Sequence, residues 1–219
     1  MTEREENILA MVEQHRYLER SMIGQKLFRF PTGQAKARQV LSKMHKRELV
    51  QRFKPGQRKE YVYHLDRVRS AKWRHWLDLN RFHFGLLAEL KAWQRILYWD
   101  HEVKYPGGQA DGFYIVKTLL EGGVMFFLEM DDGANKFDKL QKYLAYQQGR
   151  LWKKEWWAQG RGGAGTQRDI SFPLVLIVTP RAGEIGDLVW RCKAEMFFRV
   201  MRKEGSVEGY KGKVLGVLR

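Results

Sequence analysis

A chain of 219 residues carries 40 Lys and Arg against 25 Asp and Glu, a formal charge of +15 with a pI near 9.9. That balance points to a polyanionic partner, nucleic acid first, while 44% hydrophobic and 13% aromatic residues exclude a disordered basic tail. No run nears the roughly 18 apolar residues of a spanning helix, and the start Thr2-Glu3-Arg4-Glu5-Glu6 is unlike a signal peptide, so the expectation is a cytoplasmic protein with no membrane partner.

Glu5 to His15 sets Ile8, Met11, Val12 and His15 on one stripe, which predicts a first helix. Leu18 to Phe28 carries Met22, Ile23 and Leu27 in the same register, a second helix interrupted at Phe30-Pro31. Thr32 then stands as an N-cap, and Ala37, Val40, Leu41 and Met44 recur at helical spacing, predicting a third helix to about Arg47. Leu49 to Phe53 and Lys59 to Leu65 flank the turn Lys54-Pro55-Gly56-Gln57 and predict a β-hairpin. Three short helices followed by a hairpin is the order of a winged helix-turn-helix domain.

Between Lys26 and Lys59 the cations include Lys36, Arg38, Lys43, Lys46, Arg47, Arg52, Lys54 and Arg58, against one acid, Glu48. Opposite its apolar stripe the third helix carries Gln34, Lys36, Arg38, Gln39, Ser42 and Lys43. Arg pairs with guanine and Gln with adenine in a major groove, whereas Lys54, Arg58 and Lys59 on the wing suit phosphates or a minor groove. Thr32, Gln34, Lys36, Arg38, Gln39, Lys43, Lys54, Arg58 and Lys59 are therefore the expected contacts to double-stranded DNA. The alternative is a solvated face on a protein-binding winged helix, but such faces usually mix their signs.

Arg67 to Arg81 is basic and tryptophan-rich, and Trp73, Trp76, Leu77, Asn80, Phe84, Leu87, Leu90 and Trp93 continue a long amphipathic helix to about Gln94. At helical spacing these aromatics read as core in preference to base-stacking platforms. A boundary near Asp66 to Lys72 separates residues 1–68 from a second domain, 69–219. There, strands are expected at Ile96 to Val103, Gln109 to Lys117 and Val124 to Met130, then a helix from Lys136 to Trp157 and a strand from Ile170 to Val178. A last helix from Gly183 to Lys203 and an edge strand at Val214 to Leu218 complete the expectation. The class is α+β or α/β: the winged helix, then an αβββαβ mixed-sheet domain. Gln159 to Gly165 is glycine-rich without strand-to-helix context, a loop and not a nucleotide-binding turn.

The single cysteine, Cys192, and the absence of HEXXH or paired Cys/His spacings exclude a cysteine- or histidine-based zinc site. Acids are the stronger signal. Asp111 falls in the second predicted strand, and Glu129 and Asp131 end the third. Residues two apart on a strand share a face, so Glu129 and Asp131 converge and a neighbouring strand brings Asp111 to them. Clustered carboxylates repel, and Mg²⁺ or Mn²⁺ relieves the repulsion and activates water for phosphodiester hydrolysis. Acids that only solvate a strand edge are the alternative.

The order of strands and acids resembles the PD-(D/E)XK nuclease superfamily. Four stretches, His75-Trp76-Leu77-Asp78-Leu79-Asn80, Gln109-Ala110-Asp111-Gly112, Phe127-Leu128-Glu129-Met130-Asp131-Asp132-Gly133 and Lys139-Leu140-Gln141-Lys142-Tyr143-Leu144-Ala145-Tyr146, resemble the replication-relaxation family of bacterial plasmid and phage proteins. Members pair an N-terminal winged helix with a nuclease-like domain. The resemblance implies a sequence-specific DNA-binding protein of plasmid or phage replication, maintenance or its regulation. A homodimer and contacts with replication or relaxation proteins are further implied partners. It makes Asp111, Glu129 and Asp131 metal ligands, with Lys142 or Lys139 assisting water and Lys136 on the same segment. Two departures bear on activity: Ala110 replaces the proline usual before the metal-binding Asp, and Asp131 stands where an active nuclease carries lysine. They favour a remnant nuclease fold over the alternative, a Mg- or Mn-dependent endonuclease or nickase delivered by the winged helix.

Overall fold

Thr2 opens the first helix, α1 (Glu3–His15), with a capping box: its hydroxyl accepts from the Glu5 N–H at 3.3 Å and the Glu5 carboxylate accepts from the Thr2 N–H at 2.9 Å. Ile8, Met11, Val12 and His15 are buried along the predicted stripe. The expected second helix divides, since Leu18–Glu19 is a strand, β1, and only Arg20–Leu27, α2, is helical. Two residues are too few to show alternation, and tertiary pairing of Leu18 with Tyr63 and Glu19 with Val62 sets their conformation. After α3 (Gly33–Lys46) the hairpin forms from β2 (Gln51–Phe53) and β3 (Val62–His64), giving an antiparallel sheet of order β1-β3-β2. The α2–α3 approach requires glycine at position 33, where a Cβ meets backbone, while at Gly24 it would meet only the movable end of Gln34. A Cβ on Gly33 would stand 1.9 Å from the Phe28 carbonyl oxygen, and one on Gly24 2.4 Å from the Gln34 side-chain nitrogen.

This computed structural model describes residues 1–28, 32–57, 59–118, 123–134, 136–159, 171–204, 207–210 and 213–218. Arg58, Phe30-Pro31, Ile170 and the glycine run 160–165 lie outside these. The chain divides into two units, Met1–Gly85 with Gly205–Gly209, and Leu86–Glu204 with Tyr210–Arg219. The first unit thus takes in most of α4 (Trp73–Glu89), beyond the boundary at residue 68 that composition suggests. Polar contacts account for this. Fully buried Asn80 donates to the His15 and Tyr17 carbonyls at 2.7 and 2.8 Å, and its side-chain oxygen meets His15 Nδ1 at 2.9 Å. Arg81 pairs with Glu19 on β1 and, at 3.1 Å, with Asp78. Among the described residues no helix is long and apolar enough to cross a membrane.

The second unit is built on a five-stranded sheet of order β4-β5-β6-β7-β8. β4 (Arg95–Tyr105), β5 (Gly108–Lys117) and β6 (Gly123–Met130) form an antiparallel meander, and β7 (Leu174–Thr179) and β8 (Phe198–Arg202) add in parallel. Parallel neighbours need crossovers. α5 (Lys139–Gln148) lies in the first and α6 (Ala182–Arg191) in the second. α5 is shorter than expected at both ends; after Gly149, Arg150 takes a φ of 52° and the chain resumes only as a one-turn helix, Leu151–Lys154. The predicted helix from Gly183 to Lys203 also breaks, because Lys193 takes a φ of 51° and Phe198–Arg202 pairs with β7. Val214 to Leu218 is not an edge strand. Val214–Val217 is a short helix, and the Glu89 carboxylate accepts from the Val214 and Leu215 N–H groups, each at 2.9 Å. Phe113, Phe127, Tyr143, Val175, Ile177 and Phe198 are among the buried side chains joining sheet and helices.

Candidate nucleic-acid interface and acidic site

On the first unit, α3 buries Ala37, Leu41 and Met44 and leaves the other side to solvent. Its fourteen residues include no acid. A groove of about 620 Å³ runs along this side, lined by Arg20 and Ser42 with Gln34, Ala35, Arg38, Gln39, Lys43 and Lys46. Among the described residues that lining holds no carboxylate. The α2–α3 packing positions it: Gly24 leaves room for the Gln34 amide, which donates to the Ser21 carbonyl at 3.3 Å. Gln34 is thereby held against α2, while Arg38, Gln39 and Lys43 stand exposed along the groove. Thr32 is exposed just before α3, and Lys36 is exposed outside the groove lining. Lys54 and Lys59 are exposed in the turn between β2 and β3, and Arg58 lies outside the described residues. Arg20 and Lys46, absent from the expected contacts, join the groove. Arg20 belongs to a segment without a basic run, and only the fold shows it opposite α3. Its Nε lies 3.6 Å from the Glu60 carboxylate.

On the second unit, Asp111 of β5 and Glu129 of β6 meet as the strand alternation predicts. Lys139, at the start of α5, pairs with both: its Nζ contacts Glu129 Oε2 and lies 3.5 Å from Asp111 Oδ1. Tyr143, one turn later, donates its hydroxyl to Glu129 Oε1 at 2.6 Å. The Met130 N–H donates to Asp111 Oδ2 at 2.7 Å. Glu129 is only 1% exposed, and Tyr105 stacks on Tyr143 with ring centroids 4.6 Å apart. Beside the cluster opens a cavity of about 250 Å³ whose lining includes Glu129, Lys139, Lys136, Asp131 and Asp132.

Burial and the neighbouring Asp111 push the Glu129 carboxyl up to about 8, against the pull of the Lys139 ammonium and the Tyr143 hydroxyl. Burial disfavours the Lys139 ammonium, but Glu129 and Asp111 together more than reverse this and raise it above the usual lysine range. Burial, with the Glu129 charge next to it, also raises the Tyr143 phenol well above its ordinary value.

Asp131 does not join them. Its N–H still donates to the Val178 carbonyl at 2.9 Å, one residue past β6, but its carboxylate is taken up by other donors. Thr179 Oγ1 donates to it at 2.6 Å, Arg181 Nη2 at 3.0 Å and the Gly133 N–H at 3.1 Å. Burial opposes that charge, yet these donors outweigh it and hold the carboxyl below its usual range. Of the two lysines expected to assist water, Lys139 is the one beside the carboxylates, and Lys142 pairs with Asp138 at 2.8 Å on the exposed side of α5. Lys139, at the start of α5, lies one turn before Tyr143, which also contacts Glu129. Tyr146 is also buried and donates to Glu155 at 3.1 Å.

Among the described residues no group of three or more His, Cys, Asp or Glu side chains converges as a metal cage. Comparison with protein-family models, with curated proteins and with solved structures finds no match.

Proposed function

We propose that the protein binds double-stranded DNA through a winged helix-turn-helix formed by the first unit, with α3 as recognition helix and the β2–β3 turn as wing. The groove carries this reading: Arg38, Lys43, Lys46 and Arg20 line it with Gln34 and Gln39 and without a carboxylate. Support also comes from the element order α1-β1-α2-α3-β2-β3 with sheet order β1-β3-β2, which puts a turn bearing Lys54 and Lys59 after the exposed helix. The proposal includes the role in plasmid or phage replication, maintenance or its regulation that the sequence resemblance implies.

Anisotropy titration of the full chain with duplex DNA tests it. Six cations, the four in the groove with Lys54 and Lys59, predict a log–log salt slope of about −5. Arg38→Ala with Lys43→Ala should reduce that slope by about two, and Arg38→Ala alone should cost about 1–3 kcal/mol of discrimination at its base. Salt-independent binding, or affinity unchanged in the double variant, would refute the assignment.

One observation favours a second reading, in which the other unit is a PD-(D/E)XK-like DNA endonuclease: Lys139 supplies beside Asp111 and Glu129 the cation that Asp131 denies the strand. Two carboxylates with water are a donor set that Mg²⁺ accepts, so Asp111 and Glu129 fit the ion. Bound there, Mg²⁺ or Mn²⁺ would supply Lewis-acid activation of water and neutralise developing phosphate charge. Lys139 would orient water and Tyr143 would hold Glu129 in place. Incubating supercoiled DNA with Mg²⁺ or Mn²⁺ decides between the readings. Nicking that is lost in Asp111→Ala and Lys139→Ala, with binding retained, establishes the enzyme; no nicking in the wild type leaves a DNA-binding protein with a remnant fold.

A further inference from the structure

In β4 the regular alternation of sides is interrupted at Glu102, whose φ of 54° is a left-handed conformation rare for a non-glycine residue. Tyr98 before it and Val103 and Tyr105 after it pack on the same core. Next to them the chain following Leu151–Lys154 brings in two tryptophans. Tyr98 meets Trp156 edge-on with centroids 4.8 Å apart, and Phe113 meets Trp157 at 5.6 Å. Between these rings lies a cavity of about 290 Å³. Among the described residues its charged lining is Asp100, Glu102 and Glu155, with Lys104 the cation beside them.

The sign is the informative part. In a chain of charge +15, this cavity carries, among the described residues, three carboxylates to one ammonium. Two of them are oriented by phenols: Tyr146 donates to Glu155 at 3.1 Å and Tyr98 to Asp100 at 3.4 Å. Trp156 remains 56% exposed, so its ring is still offered to a ligand. Aromatic faces attract cations, and carboxylates around them complete the complementarity. A phosphodiester is repelled by the same lining. The volume is below the range of sites for drug-sized molecules and suits a side-chain-sized group.

We propose that this aromatic, carboxylate-lined cavity binds an organic cation, a guanidinium or alkylammonium group. Two sources present that chemistry, a basic side chain of a protein partner and a free polyamine. Binding here is independent of the DNA-binding reading, because it uses none of the same residues.

Tryptophan fluorescence of the full chain, titrated with N-acetyl-arginine amide and separately with spermidine, tests the proposal. Saturable quenching by either probe is expected, and N-acetyl-citrulline amide, the neutral isostere, should not saturate. Trp156→Leu and Glu155→Gln should each weaken cation binding by about two- to thirtyfold. Melting temperatures near wild type, read for both variants, assign the loss to the site. Preference for the arginine probe assigns a protein side chain, and preference for spermidine a polyamine. Absence of saturation, equal binding of the citrulline probe, binding of guanosine in place of the cations, or unchanged affinity in both variants would each overturn it.

Discussion

The two units treat charge in opposite ways. Along α3 the cations Arg38, Lys43 and Lys46 stand in solvent around a groove without carboxylates, so their field is directed outward. At the sheet of the second unit, Asp111, Glu129 and Lys139 face one another in a largely buried cluster, and each sign is met on the spot. Exposed like charges cost a folded protein little and attract a partner of opposite sign. Buried ones must be matched internally or by an ion. The first arrangement therefore reads as an interface, and the second as chemistry or as architecture.

Removing Lys139 should break the comparison most severely. Lys139→Ala leaves Asp111 and Glu129 facing each other without their cation, so urea denaturation should show a loss on the order of 3–5 kcal/mol above about pH 8, where Glu129 is ionised, and a smaller loss at neutral pH, where it holds its proton. Adding Glu129→Gln to that variant should recover much of it. Removing Arg38 or Lys43 should instead leave stability within about 0.5 kcal/mol while DNA affinity falls. If Lys139→Ala is as well tolerated as Arg38→Ala, the contrast fails.

Acid should expose a second buried ionisable group, on the first unit. Burial lowers His15 to about 4 despite its hydrogen bond with Asn80. The neutral ring is then favoured by folding, so its contribution is complete above the unfolded value of about 6.5 and is lost as pH falls toward 4. The size is on the order of 3 kcal/mol at the acid end, and His15→Gln should flatten melting temperature against pH over that window. Glu129 has the opposite sense. Its raised value favours the protonated form, so stability should decline as pH rises from about 4.5 to about 8 and hold level above that, and Glu129→Gln should remove the decline.

The smallest expected effect is at Lys142, whose pairing with Asp138 is solvent-exposed. Lys142→Ala should change stability by less than about 0.5 kcal/mol, and any nicking activity should persist. Loss of nicking on that change would return the catalytic role to Lys142.

Elements with a long apolar period were legible in the sequence. α1 and α3 each bury a stripe at helical spacing, and β5, β6 and β7 are long enough to show their apolar character. Short elements were not. β1 has two residues, β8 carries on the apolar run of the helix before it, and the Val214–Val217 helix depends on a carboxylate far away in sequence, Glu89. The acidic site divides similarly. Asp111 and Glu129 were found from strand alternation. That Arg181 and Thr179 take up the Asp131 carboxylate, and that Lys139 and not Lys142 reaches Asp111 and Glu129, depends on contacts between elements.

The amino-acid order by itself determined the periodic faces and the location of the basic run, since both are local: a side chain three or four residues on meets its neighbour whatever the rest of the chain does. Only the tertiary structure decided which charges meet. Lys139 with Glu129, Arg181 with Asp131, Arg20 opposite α3 and the carboxylates around Trp156 are all brought together by packing between elements. Coulomb energy depends on separation in space and on burial, and neither quantity is written in sequence distance.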